Sequence, residues 1–355
     1  MNAETPGVKP MAAAVDADTD TGGGGRGGDS DSARSGDARG ARAQTRFLDP
    51  LVLARIGNLD LIARAVVDGF VSGLHRTLFK GLSTDFAEHR PYTPGDDVRR
   101  IDWRLYARTE RLHIKTFEAE TNADLMLALD SSPSMDYASG ELSKFDYARM
   151  LLASLAHLGS RQRDRVGFAS LASDLLEVLP PAAGRRDATV AALARAKPTA
   201  GSELSSALER LGDVLLRRSM VVVVSDFYLE VDTAMQALGG LRARGHDVIA
   251  IQVLDPNERL LNLDGAQVLR DLETGQRMPV VPDEVRERYR QLINQHIAQL
   301  TDGCVARGIE FVALDTSQPL DLALFHFLAR RSRSQGQGRS QGARQSHGQS
   351  QGGGR

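Results

Sequence analysis

The chain has 355 residues, a net charge of −2 and one cysteine, Cys304. That balance gives no electrostatic case for nucleic acid or an anionic membrane, and a lone cysteine excludes an internal disulfide framework and fits a reducing compartment. No apolar leader opens the sequence and no apolar run approaches a membrane span, so the expected location is the cytoplasm.

The ends differ from the middle. Residues 1–46 hold the tract TGGGGRGG and almost no large apolar side chains, and residues 332–355 are a Gln/Gly/Ser/Arg run without an acidic residue. Neither buries enough apolar surface to offset its ordering entropy, so both are expected to be disordered tails. The glycine tract satisfies GxGxxG at Gly22, Gly24 and Gly27, but no strand precedes it and no helix follows, so it is not a dinucleotide site.

The first structured stretch is expected at residues 47–122, an N-terminal helix followed by a charged segment. In residues 50–70, Leu51, Leu59, Ile62 and Val66 recur at helical spacing, with Gly57 a break. From Ser72 to Ala107 the texture is short apolar pieces, Gly and Pro punctuation and dense charge; Arg111 to Glu120 alternates as a half-exposed strand.

Residues 123–331 have a regular rhythm. Five short apolar runs, at 125–129, 166–171, 220–224, 248–254 and 311–314, read as parallel strands covered on both faces. Amphipathic helical stretches lie at 142–159, 203–216, 231–243 and 283–301, with Cys304 near a helix end as a buried, inert thiol. An extra antiparallel strand is expected near 174–179, and a hairpin over 266–280 turning at Glu273–Gly275. The alternation predicts an α/β fold: a doubly wound, mostly parallel sheet flanked by helices, with a helical and β appendage at its N-terminus.

The most informative run extends from Leu125 to Met135. An apolar strand, LMLAL, ends in Asp130, with hydroxyls two and four residues later at Ser132 and Ser134. Ligands of open α/β sheets bind beyond the carboxyl ends of the strands, and Asp226 closes a second strand while Ser202 precedes a helix in the loop PTAGSEL. Asp130, Ser132, Ser134, Ser202 and Asp226 together offer hard oxygens that suit Mg²⁺ or Mn²⁺. The plainer alternative is a metal-free loop in which the two serines cap the next helix.

The DxSxS turn at Asp130, a hydroxyl after glycine in AGSEL, and SDF after a valine-rich strand resemble the von Willebrand factor A fold, whose constellation is the metal-ion-dependent adhesion site. The family usually has threonine where this chain has Ser202; Thr199 is a poorer substitute. The segment from Ala87 to Thr109, AEHRPYTPGDDVRRIDWRLYART, with SGLHRTLFKG before it, resembles the bacterial domain-of-unknown-function family number fifty-eight. That resemblance covers nearly all of residues 47–331 and implies a von Willebrand A-like domain working with a MoxR-type AAA+ ATPase or its client. The residues carrying it are Arg90, Tyr92, Gly95, Asp96, Asp97, Arg100, Asp102, Trp103 and Arg108. Read from the residues alone, this segment is either a salt-bridge network, with Trp103 and Tyr106 packed on the sheet edge, or an interface with a tryptophan anchor.

No established catalytic signature is present: no Walker motif, HExxH, GxSxG or CxxC, and the eight histidines lack metal-ligand spacing. An aspartyl-phosphate hydrolase would want a second aspartate and a lysine close to Asp130, and Lys144 is an unconvincing candidate. The leading expectation is therefore a non-catalytic, metal-dependent binding adaptor. A metal-dependent phosphoester hydrolase and a scaffold with a vestigial metal site are the alternatives.

Overall fold

A computed structural model describes the backbone of residues 13–15, and residues 49–76, 89–92, 101, 103–115, 123–201 and 203–329. In chain order the first elements are β1 (Ala13–Val15), α1 (Pro50–Ala54), α2 (Leu59–Arg76), β2 (His89–Pro91), α3 (Trp103–Thr109) and β3 (His113–Lys115). The body opens with β4 (Asp124–Asp130), a 3-10 turn (Pro133–Asp136), α4 (Lys144–Arg161), β5 (Arg165–Leu171), β6 (Leu175–Ala182), α5 (Arg186–Arg195), α6 (Leu204–Val214) and β7 (Ser219–Ser225). It continues through α7 (Val231–Ala243), β8 (Asp247–Leu254), α8 (Pro256–Leu260), β9 (Gln267–Asp271), β10 (Arg277–Val280), α9 (Pro282–Ala306) and β11 (Glu310–Asp315) to a closing helix α10 over residues 321–329.

The main sheet has the order β11-β8-β7-β4-β5-β6, parallel throughout except for β6, which runs antiparallel to β5 at the edge. All five expected parallel strands and the extra antiparallel one are present. β4, β7 and β8 are buried along their whole length, as continuous apolar runs require when helices cover both faces. One face packs Leu125, Leu127, Leu129, Val222 and Ile251 against α2, α4, α5 and α10. The other packs Met126, Ala128, Val221 and Val223 against α6, α7 and α9. This is a mostly parallel α/β sheet covered by helices on both faces, the fold class expected.

The edge strand explains one glycine. A Cβ on Gly167 would lie 2.6 Å from the Leu179 carbonyl oxygen and 2.7 Å from the Pro181 nitrogen, so β6 approaches β5 over bare backbone. The two prolines at 180 and 181 lie on this outermost strand, where a missing N–H is tolerated.

The N-terminal helix packs onto the body of the fold. Ile62, Ala63, Val66, Val67 and Phe70 of α2 belong to the same core as α4, and Arg161 Nη1 reaches Asp68 at 2.6 Å. Gly57, at φ +68°, separates α1 from α2 as expected. The break changes the facing, however: Leu51 is exposed and Leu53 takes the buried position instead.

Three further expectations change. Trp103 is 61% exposed and Tyr106 40%; their rings meet edge to face at 6.1 Å instead of packing on the sheet edge. α3, which carries both, and the short helices α5 and α8 are elements the sequence did not announce. Within the N-terminal tail, Ala13–Val15 pairs antiparallel with β9, Ala13 opposite Asp271. An exposed hairpin edge offers unpaired backbone groups, so a strand forms there without a favourable composition. The expected strand over Arg111–Glu120 is present at His113–Lys115, paired with β2; residues 116–120 lie outside the described residues. Cys304 is fully buried in α9, and burial pushes its thiol up to about 11, which makes it inert.

Candidate metal and partner site

β4 and β7 are adjacent parallel strands, so their last residues emerge side by side at the carboxyl rim of the sheet. Asp130 ends β4 and is 3% exposed. Its Oδ1 accepts the Ser132 N–H at 2.9 Å, folding the loop back over the strand end, and its Oδ2 accepts the Ser225 hydroxyl at 2.6 Å. Ser132 Oγ and Ser134 Oγ lie 3.0 Å apart, both buried. The loop is anchored from the other side by Ser131: its amide donates to Leu171, its hydroxyl meets Ser170 Oγ at 2.7 Å, and its carbonyl accepts Thr199 N–H at 2.7 Å. That last bond draws the PTAG loop to the rim. Gly201 holds φ +101° there, and a Cβ on it would come within 2.9 Å of Ser173 Cβ.

Asp226 follows β7 on the same rim, but its oxygens are already in use. Oδ2 bonds Lys144 Nζ at 2.9 Å and Oδ1 accepts Tyr228 N–H at 3.2 Å. Lys144 is wholly enclosed, and its ammonium also bonds Glu258 Oε1 at 2.8 Å and sits 4.9 Å from the centre of the Tyr228 ring. Burial works against the charge on Lys144, but Asp226 and Glu258 outweigh it and hold the ammonium above the usual lysine range. Glu258 is fixed in turn by a reciprocal capping box with Asp255 at the start of α8.

The structure thus brings Asp130, Ser132, Ser134 and Asp226 together; Ser202 lies outside the described residues. Lys144, Glu258 and Ser225 are site residues the sequence did not reveal. A sequence signal existed for two of them: Lys144 follows the N-cap Ser143, where the helix dipole disfavours a cation, and Asp255-Pro-Asn-Glu258 is a capping pattern. Asp226 lies on this rim as expected, and Lys144, an unconvincing candidate from the sequence, reaches it through its bond to Asp226. Of the signature residues, Gly95, Asp96, Asp97, Arg100 and Asp102 lie outside the described residues; Tyr92 donates its backbone N–H to Leu112, and Arg108 is exposed on α3.

The donors fit a hard divalent cation in two respects. Oxygens bound cis on an octahedral Mg²⁺ ion, at about 2.1 Å from the metal, stand about 3 Å apart, which is the Ser132–Ser134 hydroxyl separation. Asp130 also lacks a counter-charge: among the described residues no basic side chain bonds to it. Burial, then the charge of Asp226, push its carboxyl up to about 6, against the hydrogen bonds from Ser225 and Ser132. In one respect the fit is modest. Among the described residues no three His, Cys, Asp or Glu side chains are gathered around one point, so the set is rich in hydroxyls and would hold a cation weakly. Beside the loop opens a cleft of about 720 Å³, lined among others by Pro133, Tyr137, Thr199, Asn257 and Leu272.

The family model described as a protein of unknown function, DUF58, matches residues 88–299. The chain belongs to the DUF58 family. An uncharacterized protein of Mycobacterium tuberculosis is 30% identical over 294 residues, 80% of this chain and 91% of that one, and one of Mycobacterium bovis matches to the same extent. Among solved structures, a conserved hypothetical protein, BatB, from Bacteroides thetaiotaomicron is similar at a TM-score of 0.41 and 16% identity, covering 59% of this chain and 99% of that one. An aerotolerance-related membrane protein from Bacteroides fragilis is similar at 0.40 and 19%, covering 57% and 96%. Likenesses this remote transfer no function to the DUF58 chain. Among the described residues no helix is long and apolar enough to cross a membrane.

Proposed function

We propose that this protein is a non-catalytic, divalent-cation-dependent binding adaptor. Asp130, Ser132 and Ser134 would hold Mg²⁺ or Mn²⁺, with Ser202 completing the hydroxyl set and Asp226 acting from behind as a charge and through water. An open position on the cation takes an acidic side chain of the partner, and the neighbouring cleft takes the segment that carries it. The observation that carries this reading is the hydroxyl pair 3.0 Å apart beside a buried carboxylate to which no basic side chain bonds among the described residues. The family resemblance supplies the partner class, a MoxR-type AAA+ ATPase or its client, in a chaperone-like maturation role.

A phosphoester hydrolase draws support from the meeting of Asp130, Asp226 and Lys144. Lys144 counts against it: an ammonium enclosed by two carboxylates and turned away from solvent is not available to a phosphate. A scaffold with a vestigial cation site is the third reading. The full chain, used as bait in native lysate with Mg²⁺, with EDTA and as Asp130→Ala, separates the three. The adaptor reading expects an AAA+ ATPase retained only by the wild type with Mg²⁺. Retention in all three samples moves the interface elsewhere and favours the scaffold. Turnover of p-nitrophenyl phosphate that Asp130→Ala abolishes would replace the adaptor with the hydrolase.

A further inference from the structure

The hairpin β9–β10 brings a carboxylate into the site from 139 residues away. Glu273, in its turn, accepts the Ser134 N–H on Oε1 at 3.0 Å. Its carboxylate also faces the Ser134 hydroxyl, and its charge is felt alongside that of Asp226. The turn is built to hold it there: Asp271 Oδ1 accepts the Glu273 and Thr274 amides, and the Gly275 amide closes back on the Asp271 carbonyl, with Gly275 at φ +73°. Leu272, the preceding residue, forms part of the cleft wall.

This placement needs a reason. A carboxylate on an exposed turn gains little by approaching Asp226, since like charges repel. One amide hydrogen bond from Ser134 is a small return for that approach. A divalent cation on Asp130, Ser132 and Ser134 removes the conflict, because it turns the approach into an attraction. We propose that Glu273 is the acidic residue that completes the cation's shell in cis, so that the hairpin occupies the position a partner's acid must take. The inference rests on the cation site of the preceding section and extends it: resting protein carries its own ligand, and partner binding is an exchange of one carboxylate for another. Glu273 remains exposed on its turn, which lets it leave without unfolding anything.

Titration of the full chain with Mn²⁺, followed by calorimetry and by the Mn²⁺ electron paramagnetic resonance signal, tests this with the wild type, Glu273→Gln and Asp130→Asn. Glu273→Gln keeps the size and the acceptor for the Ser134 amide, and equal thermal melts of metal-free samples establish that it folds. The expected result is one site in the wild type, at least tenfold weaker binding in Glu273→Gln and none in Asp130→Asn. Equal affinity in wild type and Glu273→Gln, with binding lost in Asp130→Asn, overturns the cis ligand and leaves the cation site standing. A folded wild type that takes up no Mn²⁺ at millimolar concentration overturns both.

Discussion

Two groups of charges lie next to each other on the carboxyl rim, and they are balanced differently. In the first, one ammonium, Lys144, stands between two carboxylates, Asp226 and Glu258, with every partner buried and hydrogen-bonded. In the second, Asp130 is equally buried and has only hydroxyl and amide partners, while Glu273 accepts the amide of Ser134 in the same loop. The first group supplies its own cation for both carboxylates, and burial pushes the Glu258 carboxyl up to about 7, which lessens the negative charge left over. Among the described residues the second gathers buried carboxylate and hydroxyl oxygens with no basic side chain bonded to Asp130, as the proposed cation site requires. Proximity in a fold is therefore no guide to role; the local charge balance is.

The largest expected effect falls on the first group. Lys144→Met leaves Asp226 and Glu258 buried without their cation and is expected to lower stability by about 3–5 kcal/mol, measured by urea denaturation. Adding Glu258→Gln to it removes one of the stranded charges and is expected to recover part of that loss. If Lys144→Met alone is neutral, the triad does not hold this rim together and the comparison between the groups collapses.

The second group is expected to respond in the opposite direction. Asp130→Asn removes an uncompensated buried charge, so the metal-free protein should gain about 1–3 kcal/mol at pH 7.5 while losing cation binding. The pH dependence follows from the same carboxyl. It titrates near 6 in the folded chain instead of 3.8, so folding favours the protonated form. That contribution to stability is full below 3.8 and is lost as pH rises through about 6. Urea midpoints from pH 4.5 to 7.5 should show this decline in the metal-free wild type, and a smaller one in Asp130→Asn. Saturating Mg²⁺ should restore stability at the upper end of the range, since it binds the ionised form. A pH profile identical in wild type and Asp130→Asn would show that Asp130 carries no such strain.

These contrasts also mark what was legible in the sequence. The sheet was, because a strand covered on both faces must be apolar at every position, and MVVVV or VIAIQVL has no other economical reading. α5 was not: its buried residues, Thr189, Val190, Ala192 and Leu193, are few and mixed in character and leave no clear stripe. At the site, Asp130, Ser132 and Ser134 fall within one five-residue turn, and Asp226 ends a strand, so local pattern found them. Lys144, Glu258 and Glu273 acquire their roles only through contacts 82, 114 and 139 residues apart in sequence. No local spacing encodes a charge balance assembled over such distances.

The smallest expected effect tests the signature segment against the sheet. Trp103 is 61% exposed and touches Tyr106 edge to face, whereas the residues of β4 are wholly enclosed. Truncating an exposed side chain removes little packing, so Trp103→Ala should change stability by no more than about 0.5 kcal/mol. A large aromatic left in water on a short helix is also what an interface anchor looks like before its partner arrives. The same variant should therefore weaken retention of the AAA+ ATPase in the pull-down while its melting temperature stays put. A clear loss of stability would return Trp103 to a packing role. Unchanged stability with unchanged retention would confine recognition to the rim around Asp130.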